Sequence, residues 1–173
     1  MKSYSIIKPC KLESILVKKL KVSVVIPVFN AELTIEKLIK IILAEVKPFA
    51  SVCEIILVDD YSSDKSWEII KRLSKNNKNI FGTKMAKNYG VDKAITAGLK
   101  SSSGDYIYIV SCDLQDPISK MSTMFEKIIN NKSLDIVCSF YTNKHPESIV
   151  SKFLSKLYWR FFSFFIESHY PEE

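Results

Sequence analysis

The feature that most constrains the fold of this chain is a strict alternation of short apolar runs with segments of helical periodicity. The apolar runs have the length of buried strands and predict five of them, over residues 22–26, 54–58, 79–85, 105–110 and 134–140. The intervening segments repeat apolar residues at helical spacing and predict helices over residues 32–46, 66–75, 89–101, 117–130 and 148–166. Apolar strands joined by helices form a mostly parallel sheet with helices on both faces, so we expect a doubly wound, Rossmann-like α/β fold.

The composition indicates one globular domain. The chain has 173 residues, of which 47% are hydrophobic and 25% charged, and a chain of this length buries enough surface to fold without disulfides. It is too apolar for a disordered protein, and four glycines and six prolines are too few for a collagen-like or linker-like chain. We expect an N-terminal leader over residues 1–21, a core over residues 22–147, and an amphipathic helix with a tail over residues 148–173.

The cysteines and the N-terminal lysines bear on the cellular compartment. The four cysteines are far apart and form no CxxC pair, which favours small buried side chains in a reducing compartment over a zinc site. Lysines interrupt every apolar stretch near the N-terminus, so no signal-peptide core is predicted. No segment approaches the ~20 apolar residues of a membrane-spanning helix. We therefore expect a cytoplasmic chain that does not cross the membrane.

The net charge of +6 favours a polyanionic partner, which would be nucleic acid, a phosphorylated ligand or an anionic membrane surface. An evenly solvated, lysine-rich surface is the alternative interpretation. The sequence holds no nucleic-acid motif, and the carboxylates at its predicted strand ends would repel a phosphate backbone. Nucleic acid is therefore not a predicted partner.

Polar residues follow three of the predicted strands, at the end where ligands bind in open α/β sheets. The first strand is expected to stop at Pro27, because proline cannot donate to a sheet ladder. No glycine occurs in residues 27–32, which argues against a dinucleotide fingerprint or a phosphate-binding P-loop. Carboxylates at strand ends suit a base or ribose, or a hard cation such as Mg²⁺ bound with a diphosphate. Turn and helix-cap roles are the structural alternative at each position.

Four blocks of sequence resemble a known family. They are Val22–Asn30, Glu54–Asp64, Asn88–Gly90 with Ala94 and Ala97–Leu99, and Asp113–Pro117. In this order and spacing they resemble the family-2 inverting glycosyltransferases of the GT-A fold. Within that family they look most like the polyprenyl-phosphate glycosyltransferases, the group that includes dolichyl-phosphate mannose synthase. The resemblance runs from about Val22 to Arg160.

The resemblance implies a pocket for a nucleotide-sugar donor. It implies that Pro27, Asn30 and Glu32 line the nucleotide pocket and that Asp59 and Asp60 hold the base and ribose. Lys87, where the family usually has arginine, would lie near the diphosphate with Asn88 beside it. Asp113 and Gln115 would bind Mg²⁺ or Mn²⁺ and the donor phosphates, and Asp116 would complete a catalytic group with them.

The sequence departs from the family's pattern in three places. Ser111 stands at the first position of the usual Asp-x-Asp metal motif, which removes one anionic ligand. Tyr61 and Lys65 replace glycines that are common in the family's loop after the second strand. The chain also stops at Glu173, where family members usually continue, so a fragment or truncated product is expected.

The implied function is transfer of a sugar, with inversion, from a UDP- or GDP-sugar to a polyprenyl phosphate or a lipid-linked glycan, as in the synthesis of cell-envelope polysaccharides. No separate general base is evident after Asp116, which fits a phosphate acceptor because a phosphate monoester is largely ionised at pH 7. The alternative is a non-catalytic nucleotide-binding remnant or a partner subunit of a glycosyltransferase.

The last predicted helix suggests a membrane surface. Lys152, Lys156 and Arg160 recur every four residues beside a broad aromatic face in residues 148–166, a pattern typical of a helix on anionic lipid. A helix packed on the sheet with a solvated basic edge is the alternative. The resemblance favours the cytoplasmic membrane face and places Lys144 near the acceptor phosphate.

Overall fold

Strands and helices alternate along residues 20–139, the part of the chain that the computed structural model describes. The elements in chain order are β1 (Lys21–Val28), α1 (Ile35–Val46), β2 (Val52–Asp59), α2 (Ser66–Asn76), β3 (Ile80–Lys84), α3 (Val91–Ser101), β4 (Tyr106–Ile109) and α4 (Met121–Asn130). The predicted leader up to residue 19, Lys144 and the helix over residues 148–166 lie outside the described residues. Within residues 20–139, no helix combines the length and apolar character needed to cross a bilayer.

The four strands form one sheet in the order β3-β2-β1-β4. Every pairing is parallel, and the register places Val28 opposite Asp59 and Asp59 opposite Lys84. The carboxyl ends of all four strands therefore meet at one edge of the sheet. The parallel sheet predicted from the apolar runs is confirmed.

Helices cover both faces of the sheet, as predicted. On one face, alternate residues of β1 such as Val24 and Ile26 pack with Leu38 of α1 and Phe125 of α4 in the larger core cluster. On the other face, Val25 packs with residues of β2 and with α3 in a smaller cluster. α3 lies so close to the sheet that a Cβ at Gly98 would collide with Val25. This position therefore requires glycine.

β1 runs on to Val28, so the expectation that it stops at Pro27 is wrong. Val25 accepts a hydrogen bond from Val110 on the β4 side, whereas Val28 accepts one from Asp60 on the β2 side. Successive residues of β1 thus direct their backbone N–H and C=O groups to β4 and β2 in turn, and the backbone nitrogen of Pro27 points toward β4. The pairing with β4 ends at Val25, so the missing N–H of Pro27 costs no ladder bond.

The fifth predicted strand, residues 134–140, is not formed in the part that the structure describes. Residues 134–139 adopt irregular backbone, and Ile136 is 76% exposed. β-Propensity depends on packing against a neighbouring strand, and this segment pairs with none of the described strands. Cys138, expected among the buried cysteines, is exposed as well, whereas Cys112 is buried.

Three of the helices begin later than the periodicity predicted, whereas α2 begins at Ser66 as expected. α1 begins at Ile35 rather than at residue 32, after a turn in which the backbone amide of Thr34 donates to the carbonyl of Ala31. α3 begins at Val91 rather than at residue 89, because Gly90 has a φ of 88° and cannot be helical. A 3-10 turn over Ile118–Lys120 precedes α4, which was predicted to start at residue 117.

A buried polar cluster lies near the amino-terminal part of the sheet. The carboxylate of Glu54 accepts hydrogen bonds from the hydroxyls of Ser23 and Ser103 and from the backbone amide of Ser103. Burial alone would raise the pKa of Glu54, but these hydrogen bonds outweigh it and hold the pKa below its ordinary value. Glu54 thereby ties the connection between α3 and β4 to the two central strands.

Candidate functional site

A cleft of about 690 Å³ opens at the carboxyl ends of β1, β2 and β4, a volume typical of small-molecule sites. Its walls come from the end of β1, the loop after β2, the start of α3 and the loop after β4. The structure brings six of the sequence-predicted site residues to this cleft, namely Pro27, Asn30, Glu32, Asp60, Asn88 and Asp113. Strand ends far apart in sequence therefore meet where the parallel topology predicts.

The other four predicted site residues stand apart from the cleft wall. Asp59 is fully buried below it. Lys87 is exposed, and its ammonium lies 5.0 Å from the centre of the Tyr89 ring. Gln115 is exposed and Asp116 half-buried in the loop after β4.

The loop after β1 is held by side chains of the loop after β2. The consecutive backbone amides of Asn30, Ala31 and Glu32 donate to Ser62 Oγ, Ser66 Oγ and Asp64 Oδ2, at 2.9, 2.9 and 3.0 Å. Three amides are thus satisfied by side chains more than thirty residues away in sequence. This bonding fixes the backbone of residues 30–32 along the cleft.

Hydrogen bonds also run in the opposite direction between these two loops. Asn30 Oδ1 accepts from the backbone amide of Ser63 at 2.9 Å, and Glu32 Oε2 accepts from the amide of Lys65 at 2.9 Å. We call residues 30–32 and 62–66, joined in this way, the interlocked loops. The side chains of Asn30 and Glu32, predicted to contact the nucleotide, therefore hold the loop after β2 in place.

Asp64 is the most heavily bonded carboxylate of the interlocked loops. It accepts from the backbone amide of Glu32 and, through Oδ1, from the backbone amide of Ser66 at 2.9 Å. Burial alone would raise the pKa of Asp64, but the hydrogen bonds from Ser66 and Glu32 outweigh it and lower the pKa. Asp64 is therefore ionised at neutral pH and holds the start of α2 through the amide of Ser66.

Asp60 holds the start of α3 against the end of β2. Its two carboxylate oxygens accept hydrogen bonds from the backbone amides of Tyr89 and Gly90, both at 2.8 Å. Asn88 Oδ1 also accepts from Gly90, at 3.1 Å. The loop that carries Lys87 and Asn88 is thus fastened to the cleft by Asp60.

The loop after β4 presents Asp113 to the cleft. Asp113 Oδ1 accepts from the backbone amide of Gln115 at 2.9 Å, and Asp116 Oδ2 accepts from the amide of Ser111 at 3.0 Å. Leu114 between them has a φ of 62°, a left-handed conformation. Asp116 thereby closes the loop, and Asp113, exposed in the cleft, is its metal-binding candidate.

The described residues include no cluster of three or more histidine, cysteine or acidic side chains that could hold a metal. Asp113 and Gln115 offer carboxylate and amide oxygens, the donor types that Mg²⁺ and Mn²⁺ accept. Cys112 lies beside them, but it is buried and its pKa is raised, chiefly by burial. Its thiol therefore stays protonated. These residues fit a divalent cation provided that a diphosphate supplies further oxygens.

Sequence reasoning did not find Ser62 and Ser66 as partners of the loop after β1. Their only local signal, a serine-rich stretch before a helix, indicates a helix cap. Tyr61 is a different case, because its φ of 64° explains why the resembled family favours glycine there. Asn30, Tyr61 and Leu114 are the non-glycine residues with positive φ in the described chain, and each follows a different strand.

Residues 23–170 match the family model described as glycosyl transferase family 2. The chain belongs to this family. Family membership and the parallel sheet agree with the expectation drawn from the four sequence blocks.

Curated relatives carry the name undecaprenyl-phosphate 4-deoxy-4-formamido-L-arabinose transferase. The chain is 36% identical to that of Photorhabdus laumondii over 138 residues, which is 79% of this chain and 42% of the relative. It is 35% identical to that of Pectobacterium carotovorum over 136 residues, which is 78% of this chain and 41% of the relative. The chain thus spans about two fifths of the length of these relatives.

Solved structures confirm the GT-A glycosyltransferase fold. S. aureus TarS (residues 1–349) in complex with UDP-GlcNAc aligns with a TM-score of 0.52 at 20% identity, over 75% of this chain and 38% of TarS. The mannosyltransferase PcManGT from Pyrobaculum calidifontis, in complex with GDP-Man and Mn²⁺, aligns with a TM-score of 0.52 at 19% identity. That alignment covers 70% of this chain and 36% of the mannosyltransferase. At these identities the likeness concerns the fold.

Proposed function

We propose that this chain forms the nucleotide-sugar-binding part of a glycosyltransferase that transfers a sugar, with inversion, to a polyprenyl phosphate. The observation that carries the proposal is the cleft at the carboxyl ends of β1, β2 and β4, with Asp60 and Asp113 in its wall. Membership of glycosyl transferase family 2 supports the reaction class. The undecaprenyl-phosphate transferases among the relatives support the lipid-phosphate acceptor.

The donor in this proposal is a UDP- or GDP-sugar. Its nucleoside lies along Pro27, Asn30 and Glu32, with Asp60 in the wall and Asp59 beneath. The interlocked loops support this assignment because they keep the backbone of residues 30–32 fixed before any ligand arrives. Lys87, exposed beside Asn88, supplies positive charge toward the diphosphate.

Asp113, with Gln115, would hold Mg²⁺ or Mn²⁺ together with oxygens of the donor diphosphate. When bound, the cation would offset the negative charge that develops on the departing nucleoside diphosphate. The residues of the chain orient this arrangement, because Asp116 holds the amide of Ser111 and Asp113 holds that of Gln115. Asp113 therefore faces the cleft from a loop whose conformation is fixed by the carboxylates of Asp113 and Asp116.

In the proposed reaction, an oxygen of the acceptor phosphate forms a bond to the anomeric carbon from the side opposite the leaving group. The bond between that carbon and the diphosphate oxygen breaks, and its electron pair leaves with the nucleoside diphosphate. The second pKa of a phosphate monoester is ~6, so the nucleophilic oxygen is already ionised at pH 7. No protein base is needed for this acceptor.

The acceptor is anchored in lipid, so the proposal places the protein at the cytoplasmic surface of an anionic membrane. The basic and aromatic residues of the segment 148–166 are the proposed contact. A lipid-linked glycan is the second acceptor class. It would require a general base to remove a hydroxyl proton.

A second candidate function is a nucleotide-binding remnant or partner subunit without activity. Two observations favour it. Ser111 leaves Asp113 as the one carboxylate of the triplet Ser111–Asp113. The described residues also hold no cluster of three metal-binding side chains. Both functions require the same cleft to bind a nucleoside diphosphate. They differ in whether the sugar is transferred.

The deciding experiment has two parts. Calorimetry with UDP- and GDP-sugars, with and without Mn²⁺, measures donor binding. Incubation with a labelled donor and a short-chain polyprenyl phosphate then measures transfer, and the anomeric configuration of the product reports inversion. We expect metal-dependent binding of one nucleotide and transfer to the lipid. Binding without transfer would favour the remnant, and failure to bind any nucleoside diphosphate would refute both functions.

A further inference from the structure

Asp59, the last residue of β2, has a carboxylate that is shielded from solvent. Its side chain has 0% exposure. Oδ1 accepts a hydrogen bond from the backbone amide of Ser62 at 3.2 Å, and Oδ2 has no hydrogen bond within the described residues. An ionised carboxylate out of contact with water costs several kcal/mol unless an opposite charge lies close by.

Lys84, the last residue of β3, supplies that opposite charge. Its Nζ lies 3.8 Å from Asp59 Oδ2, and the two residues are register partners in the sheet. The same Nζ lies 5.7 Å from the centre of the Tyr61 ring and 6.0 Å from that of Trp67. These distances allow cation–π attraction. The ammonium is therefore held toward Asp59 from several sides.

A continuous series of contacts leads from Lys84 to the cleft wall. Lys84 pairs with Asp59, Asp59 accepts from the amide of Ser62, and Ser62 Oγ accepts from the amide of Asn30 at 2.9 Å. Asn30 has a φ of 48° and lines the cleft. The left-handed conformation of Asn30 is disfavoured by itself, so it depends on contacts of this kind.

We propose that Lys84 is a positioning residue for the nucleotide site: by balancing the buried charge of Asp59, it holds Ser62 and through it Asn30 in place. Lys84 does not line the cleft, so it acts through these neighbours rather than by touching the ligand. Its effect on the backbone stands on the contacts alone, whereas its effect on nucleotide affinity rests on the proposed function. The two effects are therefore measured separately.

Amide hydrogen exchange, followed by NMR on the full chain, tests the effect on the backbone. In Lys84→Met we expect the amides of Ser62 and Asn30 to exchange about tenfold faster or more. A buried carboxylate without its counter-charge is unstable in place, so Asp59 moves toward water, releases the amide of Ser62, and Ser62 no longer holds the amide of Asn30. Lys84→Arg keeps the charge and should restore protection. The amide of Ser111, which donates to Asp116 within the loop after β4, is the internal reference.

Lys71→Met is the matched control. Lys71 Nζ also lies 6.0 Å from the Trp67 ring, but it pairs with the exposed Glu68 at 3.9 Å. Its removal should leave Ser62 and Asn30 unchanged. Lys84→Gln also removes the positive charge but keeps a polar side chain, so it takes the place of Lys84→Met if that variant does not fold. Unchanged exchange at Ser62 and Asn30 in the neutral variants, or equal acceleration at Ser111, would overturn the proposal.

Calorimetry with UDP and GDP in the presence of Mn²⁺ forms the second arm. We expect Lys84→Met to weaken nucleotide binding about tenfold, while Lys84→Arg and Lys71→Met stay within about twofold of the parent. A parent protein that binds neither nucleotide would refute the proposed function. The exchange data would still decide whether Lys84 positions the loop, so the two failures are distinguishable.

Discussion

Oδ2 of Asp60 accepts a hydrogen bond from the backbone amide of Gly90 at 2.8 Å, which joins the end of β2 to the start of α3. Oδ1 of the same carboxylate accepts from the backbone amide of Tyr89. Because helix N-termini carry partial positive charge, an ionised carboxylate at this position is favourable. Asp60 thus forms part of the cleft wall and also fastens the start of α3.

The first prediction is that Asp60→Asn destabilises the fold. Asparagine keeps one acceptor oxygen and loses the charge, so one of the two amides loses its partner. We expect the free energy of unfolding, measured with urea, to fall by about 1–3 kcal/mol. Asp113→Asn is the control, because Asp113 is exposed and, among residues 20–139, its hydrogen bond is to Gln115 of its own loop. Equal stability of the two variants would show that Asp60 does not fasten α3.

The second prediction concerns the metal. Asp113 should be the main protein ligand, so Mn²⁺ should bind poorly alone and well with UDP present, since the diphosphate supplies further oxygens. Asp113→Asn should nearly abolish Mn²⁺ binding. Ser111→Asp should tighten it, because a second carboxylate adds attraction at short range.

Electron paramagnetic resonance of Mn²⁺, with and without UDP, measures these differences directly. The Ser111 amide keeps its bond to Asp116 in Ser111→Asp, so the loop need not change shape. If Asp113→Asn binds Mn²⁺ and UDP as well as the parent protein does, the metal role is wrong and the nucleotide-binding remnant becomes the better interpretation.

The third prediction is that Asp59→Ala weakens nucleoside-diphosphate binding by about 1–3 kcal/mol, the scale of a lost charged hydrogen bond. The variant removes the acceptor of the Ser62 amide and leaves Lys84 without its partner. Titration calorimetry gives the affinity, and circular dichroism verifies the fold. Unchanged affinity in a folded variant would remove Asp59 from the donor site.

The fourth prediction is an acid-sensitive contribution from Glu54. Its pKa in the folded protein is below the ordinary value of 4.5, so its ionised form favours the folded state. This stability is fully present above pH 4.5 and is lost as the pH falls through the folded-state pKa. Glu54→Gln should therefore be less stable than the parent at pH 7, and the difference should shrink as the pH falls below 4.5.

Urea unfolding of both proteins across this pH range tests the prediction. Asp64 also has a lowered pKa, and it remains in both proteins, so the difference isolates Glu54. A difference in stability that is constant with pH would contradict the assignment of the effect to the Glu54 carboxylate.

The apolar runs predicted the four strands of the sheet. In β1 and β2 burial on both faces leaves a continuous hydrophobic signal, whereas β3 and β4 keep apolar residues although part of each strand is exposed. The apolar runs did not reveal that β1 continues past Pro27, because proline is tolerated there only since the pairing with β4 has already ended at Val25. The run at residues 134–139 has the composition of a strand but no strand partner in the described chain. Local pattern identifies what a segment prefers, whereas pairing depends on what the fold places beside it.

The strand-end residues were expected to meet, and six of them line one cleft. The sequence could not distinguish Asp59 from Asp60, because adjacent residues of the same type point to opposite sides of a strand end. Asp59 is buried next to Lys84, and Asp60 faces the cleft. The hydrogen bonds of Ser62 and Ser66 were beyond prediction, because their partners are separated by more than thirty residues.

The interlocked loops restrict how the length of this protein can vary. One extra residue between Asp60 and Ser66 would move Ser62 or Asp64 out of step with the amides of residues 30–32. Elsewhere on a protein surface, doubling the length of a flexible loop adds only about 0.6 kcal/mol of closure entropy. Here an insertion would break several hydrogen bonds at once. Changes in length should therefore be rejected in the loop after β2.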